Sequence, residues 1–181
     1  MAADPGRRAV VVMGVSGSGK SSIGAKMAQR LDIGFVDGDD LHPPANVAKM
    51  SRGEPLTDAD RWPWLDRVGA ALVKGGAGGT GVVIACSALR RSYRDRIRTR
   101  AAAARPVFVF LDITVEEARR RMSRRPGHFM PVSLVESQFN TLERPTPDET
   151  DVLRVEEGGG VDATVAASIE ALTEPERGHS R

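Results

Sequence analysis

Eight residues, Gly14-Val15-Ser16-Gly17-Ser18-Gly19-Lys20-Ser21, match the phosphate-loop pattern G-x-x-x-x-G-K-[ST] at every specified position. Polyphosphate carries several negative charges on small oxygens, so holding it takes many donors in a small volume. Successive backbone N–H groups supply them if the loop can curl around the anion, and Gly14, Gly17 and Gly19 permit that curl. Val15, Ser16, Ser18 and Ser22 complete the segment expected to wrap the nucleotide phosphates. A helix starting here would turn its N-terminal N–H groups and positive dipole end toward them. Lys20 is expected to reach the terminal phosphates and Ser21 to ligate Mg²⁺.

A phosphate loop does not say what the nucleotide is for. A GTPase needs a base-reading N-K-x-D, which is absent, and the D-x-x-G match at Asp66–Gly69 falls inside a helical pattern. Asp112 ends an apolar run, as a metal-binding carboxylate of a larger ATPase would. A capped helix and an arginine-rich stretch follow it, which favours a structural strand end. Asp37-x-Asp39 is the better clue. Two carboxylates two apart on an extended segment project from the same side. One can hold the Mg²⁺ shell and the other can take the proton of an attacking hydroxyl. The bland alternative is an acidic turn facing solvent. Arg121 and Arg125 share a helix face in a run of arginines from Arg119, followed by a hinge-like Gly127-His128-Phe129. A basic flap there would neutralise a transferring phosphoryl and exclude water; a solvated basic helix is the competing reading.

These residues need a scaffold that brings strand ends together. Apolar runs at about 8–13, 34–37, 82–86, 107–111 and 150–155 read as strands. Helical patterns at about 19–31, 44–51, 58–74, 89–104, 115–124, 132–142 and 161–172 alternate with them. Pro43-Pro44 should open the second helix and Thr57 the third, while Thr114 with Glu117 reads as a capping box for the fifth. The five glycines from Gly75 to Gly81 read as a loop. Trp62 and Trp64 read as core. The alternation predicts an α/β fold with a parallel sheet wrapped by helices on both faces. Ligands bind at the carboxyl ends of such strands, where every candidate above falls.

The 181 residues suit a single domain, expected over 7–172 with flexible termini at 1–6 and 173–181. Basic residues number 26 against 24 acidic ones, and aromatics are only 4%, which argues against a base-stacking nucleic-acid surface. Cys86 is the single cysteine, which excludes an internal disulfide and a multi-cysteine metal site. The apolar run after Arg7-Arg8 is too short for a signal peptide, and no run approaches a membrane span. A cytoplasmic protein with no membrane or nucleic-acid partner is expected.

Several stretches resemble the gluconokinase family, small P-loop kinases of D-gluconate. They are MGVSGSGKSS (13–22), DGDDLHPPANVAKMSRGEPLTDADRWPWL (37–65), CSALRRSYRDRIR (86–98), RPGHFM (125–130), SQFNTLERP (137–145) and DETDVLRV (148–155). The resemblance implies a three-layer P-loop sandwich like that of shikimate and nucleoside-monophosphate kinases. Its five-stranded parallel sheet would carry a mobile lid at about 119–135. It implies ATP and Mg²⁺, and transfer of a phosphoryl group to D-gluconate; it also suggests a homodimer. Another acceptor, such as shikimate or a nucleoside monophosphate, is the alternative. Gluconate is a linear polyol with a carboxylate at one end and the reacting hydroxyl at the other. Asp39 is then the expected base, Asp37 lies on the Mg²⁺ side, and Arg61 grips the carboxylate bidentately. His42, Lys49, Ser87, Arg90 and Arg94 are candidate acceptor contacts. Arg121 resembles the lid arginine that stacks on adenine, and Arg125 the one approaching the phosphates. His128 lies in the lid motif, and Gln138 is placed to face substrate from the helix after it.

Overall fold

The computed structural model describes residues 9–124, 132–156 and 158–173. Five strands, β1 (Ala9–Met13), β2 (Gly34–Asp37), β3 (Val82–Ala85), β4 (Val107–Asp112) and β5 (Val152–Glu156), form one parallel sheet in the order β2-β3-β1-β4-β5. The connecting helices are α1 (Lys20–Leu31), α2 (Pro44–Ser51), α3 (Asp58–Ala77), α4 (Arg91–Arg100), α5 (Val115–Ser123), α6 (Val132–Thr141) and α7 (Val161–Thr173). The central strands β1 and β3 are buried along their whole length, which is why they read as unbroken apolar runs. Successive side chains point to opposite faces. Val11 and Met13 join Leu65, Val68 and Leu72 of α3 and Ile97 of α4, whereas Val10 and Val12 join Ile23 and Met27 of α1 and Val165 of α7. Each such fully buried side chain contributes about 1.5–3 kcal/mol. A third cluster, Val15, Ile113, Ala118, Met122 and Val135, lies beneath the arginine-rich helix. No described helix is long and apolar enough to cross a membrane.

Three local readings need correction. The glycines after Lys74 do not start a loop: α3 runs through Gly75 and Gly76 to Ala77. Gly75 passes so close to β3 that a Cβ there would lie 2.4 Å from Val82 Cγ1. The composition that looked like a break is a packing requirement. Helix α4 is shorter than its 89–104 pattern, because Ala88 takes a positive φ of 43° and Arg90 is still extended. The capping box at α5 is half-made. Thr114 accepts from the Glu117 N–H at 3.2 Å, but the Glu117 carboxylate turns to Arg120 and Arg121. A full capping box does form at α3, between Thr57 and Asp60. Arg125, His128 and most of the expected lid hinge lie outside the described residues, as do the termini apart from Thr173.

Candidate functional site

The phosphate loop leaves β1 at the centre of the sheet. Gly17 and Gly19 hold φ of 84° and 82°, the left-handed region the curl requires. Gly14 is tied by its N–H to Ser87 O at 3.3 Å, which fixes the loop against the end of β3. Not every N–H of the loop faces outward. Ser18 N–H bonds Val15 O, and Ser16 N–H donates to Gln138 Oε1 at 2.6 Å. The cradle is left to Gly17, Gly19 and the first turn of α1, where Lys20, Ser21 and Ser22 lie.

On the β2 side, the chain passes from the strand into a 3₁₀ turn at Gly38–Leu41. Asp37 caps that turn, accepting from the Asp39 N–H at 3.0 Å through one oxygen. Its other oxygen accepts from Ser21 Oγ at 2.8 Å. The two residues expected on the metal side therefore meet. Gly38 allows the close approach, since a Cβ there would stand 2.3 Å from Ala85 O. Trp64, 3% exposed in the core, locks the turn by donating from Nε1 to Gly38 O at 2.7 Å. Buried Cys86, just past the end of β3, feels the charges of Lys20, Asp39 and Asp37. Burial pushes its thiol up to about 12, which leaves it chemically inert.

Acceptor-side candidates gather beside this turn. His42 stacks on Trp64 with ring centroids 4.3 Å apart. Burial lowers the imidazole below its ordinary 6.5; Asp39 opposes the shift and Arg61 assists it. Arg61 and Arg90 both lie over the Tyr93 ring, at 5.6 and 5.8 Å. Asp58 links the group: it accepts from Tyr93 Oη at 2.5 Å and Arg90 at 3.2 Å, and pairs with Arg61 at 3.7 Å. Two guanidiniums and one carboxylate leave a net positive charge, suited to one anionic group. Lys49 is held by both oxygens of Asp60, at 3.0 and 2.8 Å, and helps to hold that carboxyl down near 2.

Two expected contacts are displaced. Arg94 is fully buried, with its guanidinium on Glu149 at 2.7 and 2.6 Å and on the carbonyls of Ala88 and Leu89. It cannot reach an acceptor; it fixes the bend between Ser87 and Arg90. Gln138 turns to the phosphate loop, where it both accepts from Ser16 N–H and donates to Ser16 Oγ at 2.8 Å. An amide offers a donor and an acceptor side by side, and Ser16 presents the complement.

On the β4–β5 side a cleft of about 710 Å³ opens, lined by Asp112, Thr114, Glu117, Arg121, Arg154 and the glycines 158–160 among others. Arg121 belongs both to this cleft and to the loop: Nη1 reaches Gly17 O at 3.4 Å and Nε bonds Glu117 at 2.6 Å. Arg120 and Arg121 hold the Glu117 carboxyl near 2. The side chain of Asp112, only 7% exposed, pairs with Arg144 and Arg154, which matches a structural strand end. Asp66, of the D-x-x-G match, lies within α3 and pairs with Arg96 and Arg100.

Sequence reasoning missed Asp58, Tyr93, Asn46 and the glycine loop after β5. Asp58 reads as an ordinary helix-start acid. Tyr93, the only tyrosine of the chain, carried a signal in its placement two residues from an arginine pair. Asn46 lies one helical turn beyond His42, the spacing that lets their side chains meet.

The AAA domain family matches residues 10–145. The chain is 49% identical over 149 residues to the thermosensitive gluconokinase of Escherichia coli (strain K12), spanning 81% of this chain and 77% of that protein. It is 51% identical to the gluconokinase of Gluconobacter oxydans (strain 621H), with 82% of each covered. A gluconokinase structure from Sinorhizobium meliloti 1021 superposes with a TM-score of 0.79 at 45% identity over 92% of each chain. Shikimate kinase from Aquifex aeolicus vf5 has a TM-score of 0.55 at 18% identity, over 90% of this chain and 94% of that one, and shares the fold alone.

Proposed function

The chain belongs to the gluconokinase family and is an ATP-dependent kinase of D-gluconate, and we propose that Asp39 accepts the proton of the attacking hydroxyl. One observation carries this assignment: the hydroxyl of Ser21 and the carboxylate of Asp37 meet at 2.8 Å, with Asp39 on the same short turn. The donor phosphates and a proton acceptor then share one crevice.

Asp37 and Ser21 offer hard oxygen ligands at the mouth of the cradle, a donor set that fits Mg²⁺ completed by water and phosphate oxygens. Bound there, the ion would neutralise charge on the β- and γ-phosphates. Lys20 and the N–H groups of Gly17, Gly19 and the first turn of α1 hold the phosphates in line. Arg121 stacks the adenine in the cleft toward β5, and Arg125 completes phosphate neutralisation. On the acceptor side, Arg61 and Arg90 take the gluconate carboxylate, held apart and aimed by Asp58 and Tyr93. His42 and Ser87 bond the hydroxyls. Asp39 draws off the proton as the hydroxyl oxygen attacks phosphorus, and 6-phospho-D-gluconate and ADP leave. Positioning and electrostatics supply the rate, as in phosphoryl transfer generally. The enzyme acts in the cytoplasm, where its ATP is held, as a homodimer that sedimentation equilibrium would detect.

The test is an ADP-release assay across gluconate, shikimate, glucose, ribose and nucleoside monophosphates. Gluconate should be turned over best, and Asp39→Asn should lower kcat roughly 10²–10⁴-fold while ATP still binds. Equal or better turnover of another acceptor overturns the substrate assignment.

A further inference from the structure

Asn46 lies in the first turn of α2 and is 3% exposed. Its Nδ2 stands 2.9 Å from the backbone oxygen of Asp60 and 3.2 Å from Nδ1 of His42. A backbone carbonyl oxygen can only accept, so the atom of Asn46 that faces it is the NH₂ group. That fixes which way the amide points. With one hydrogen on Asp60, the second is left for His42, and donation requires a lone pair on Nδ1. A neutral imidazole with a bare Nδ1 carries its proton on Nε2.

We propose that Asn46 is a positioning residue that locks His42 in the Nε2–H form, making His42 a fixed hydrogen-bond donor in the acceptor pocket and not a base. The role in substrate binding rests on the acceptor site assigned above; the protonation state does not. Stacking on Trp64, with an interplanar angle of 15°, fixes the ring plane, and Trp64 is itself anchored on Gly38. The charged groups acting on the imidazole are Asp39, from the acidic turn, and Arg61, from α3. Burial outweighs Asp39 and favours the neutral ring. A proton on Nδ1 would also face the Asn46 hydrogen head-on, so protonation breaks the bond that orients the ring. A donor at Nε2 suits the oxygens of a polyhydroxy acid and leaves proton acceptance to Asp39 alone.

Long-range ¹H–¹⁵N correlation spectra of the full-length, ligand-free protein at about pH 8 read the tautomer directly. His42 is assigned by the signal missing in His42→Gln. The expected pattern is a protonated Nε2 with a bare Nδ1, changing to a mixture of tautomers in Asn46→Ala. A proton on Nδ1, an imidazolium, or an unchanged tautomer in Asn46→Ala overturns the proposal. Kinetics give a second reading. His42→Gln offers an amide nitrogen at the reach of Nε2 and should raise the gluconate KM less than His42→Asn does. His42→Asn should raise that KM about tenfold, the worth of one hydrogen bond, and Asn46→Ala by a smaller factor set by the share of Nε2–H rings left, with the ATP KM unchanged in both. If His42→Gln fails as badly as His42→Asn, the donor role is wrong. The wild-type spectrum is independent of the acceptor, so a wrong tautomer and a wrong substrate give different outcomes.

Discussion

Ser21 Oγ donates to Asp37 Oδ2 at 2.8 Å, joining the helix that leaves the phosphate loop to the end of β2, across the intervening strand β3. Asp37→Asn keeps an acceptor for Ser21 but removes the charge. The Mg²⁺ concentration for half-maximal activity should rise about 10–100-fold, the usual loss when a metal-site partner is weakened. The gluconate KM should hardly move. Titrating Mg²⁺ at saturating gluconate checks this; an unchanged Mg²⁺ requirement would remove Asp37 from the metal side.

Arg94 and Glu149 are both essentially buried, and the guanidinium donates two hydrogen bonds to the carboxylate. Breaking such a pair leaves an unpaired buried charge, so Arg94→Met should cost about 3–5 kcal/mol in urea unfolding. Arg94→Met combined with Glu149→Leu should recover most of that loss. Glu149 also carries a pH signature: Arg94 first, with Arg98 behind it, lowers its carboxyl from 4.5 to about 2. The resulting stability is present in full above the unfolded value and is lost as pH falls from about 4.5 toward 2. Glu149→Gln should flatten that part of the stability curve.

Gln138 bridges α6 to Ser16 through two hydrogen bonds, at 2.6 and 2.8 Å. Gln138→Met keeps the length and loses both. The ATP KM should rise about tenfold with the gluconate KM unchanged, because the loop and not the acceptor pocket loses its support. Gln138→Glu, which still offers an acceptor to the Ser16 N–H, should fall between. A selective rise in the gluconate KM would return Gln138 to the acceptor side.

Gly75→Ala sets two effects against each other. Alanine favours a helix interior by about 1 kcal/mol over glycine. The new Cβ, however, would lie 2.4 and 2.5 Å from Val82 Cγ1 and Cβ, and Val82 is fixed in β3. Overpacking of this kind costs about 1–3 kcal/mol, so the clash should win and the urea midpoint should fall. Gly76→Ala is the control. Its Cβ would meet only Ala104 Cβ at an ordinary 3.6 Å, and the protein should gain up to about 1 kcal/mol.

The sheet was legible because buried parallel strands are written as unbroken apolar runs, as in β1 and β3. The phosphate loop was legible because its curl takes glycines at left-handed φ, as at Gly17 and Gly19. Arg94 and Gln138 were assigned to the wrong partner for a common reason. A polar side chain on a helix shows its chemistry in the sequence but not which way it points. The bond from Arg94 to Glu149 spans 55 residues, and that from Gln138 to Ser16 spans 122. No local pattern encodes either. Gly75 misled in the opposite sense, since a residue chosen for its lack of bulk looks the same as one chosen for flexibility.

Strand β1 runs down the middle of the sheet, and the residues assigned to the two substrates fall on opposite sides of it. Everything assigned to grip the sugar acid follows β2 or β3; the arginine helix and the glycine-lined cleft follow β4 and β5. The donor and recipient halves meet at the loop between them and again behind it, where Arg94 and Arg98 of α4 bond Glu149 and Asp151 ahead of β5. A lineage can reshape what is phosphorylated by rewriting one flank while the other goes on reading the same nucleotide. Chimeras exchanging residues 34–100 that keep Asp37, Arg94 and Arg98 for their partners Ser21, Glu149 and Asp151 should therefore inherit a new acceptor and keep the old affinity for ATP.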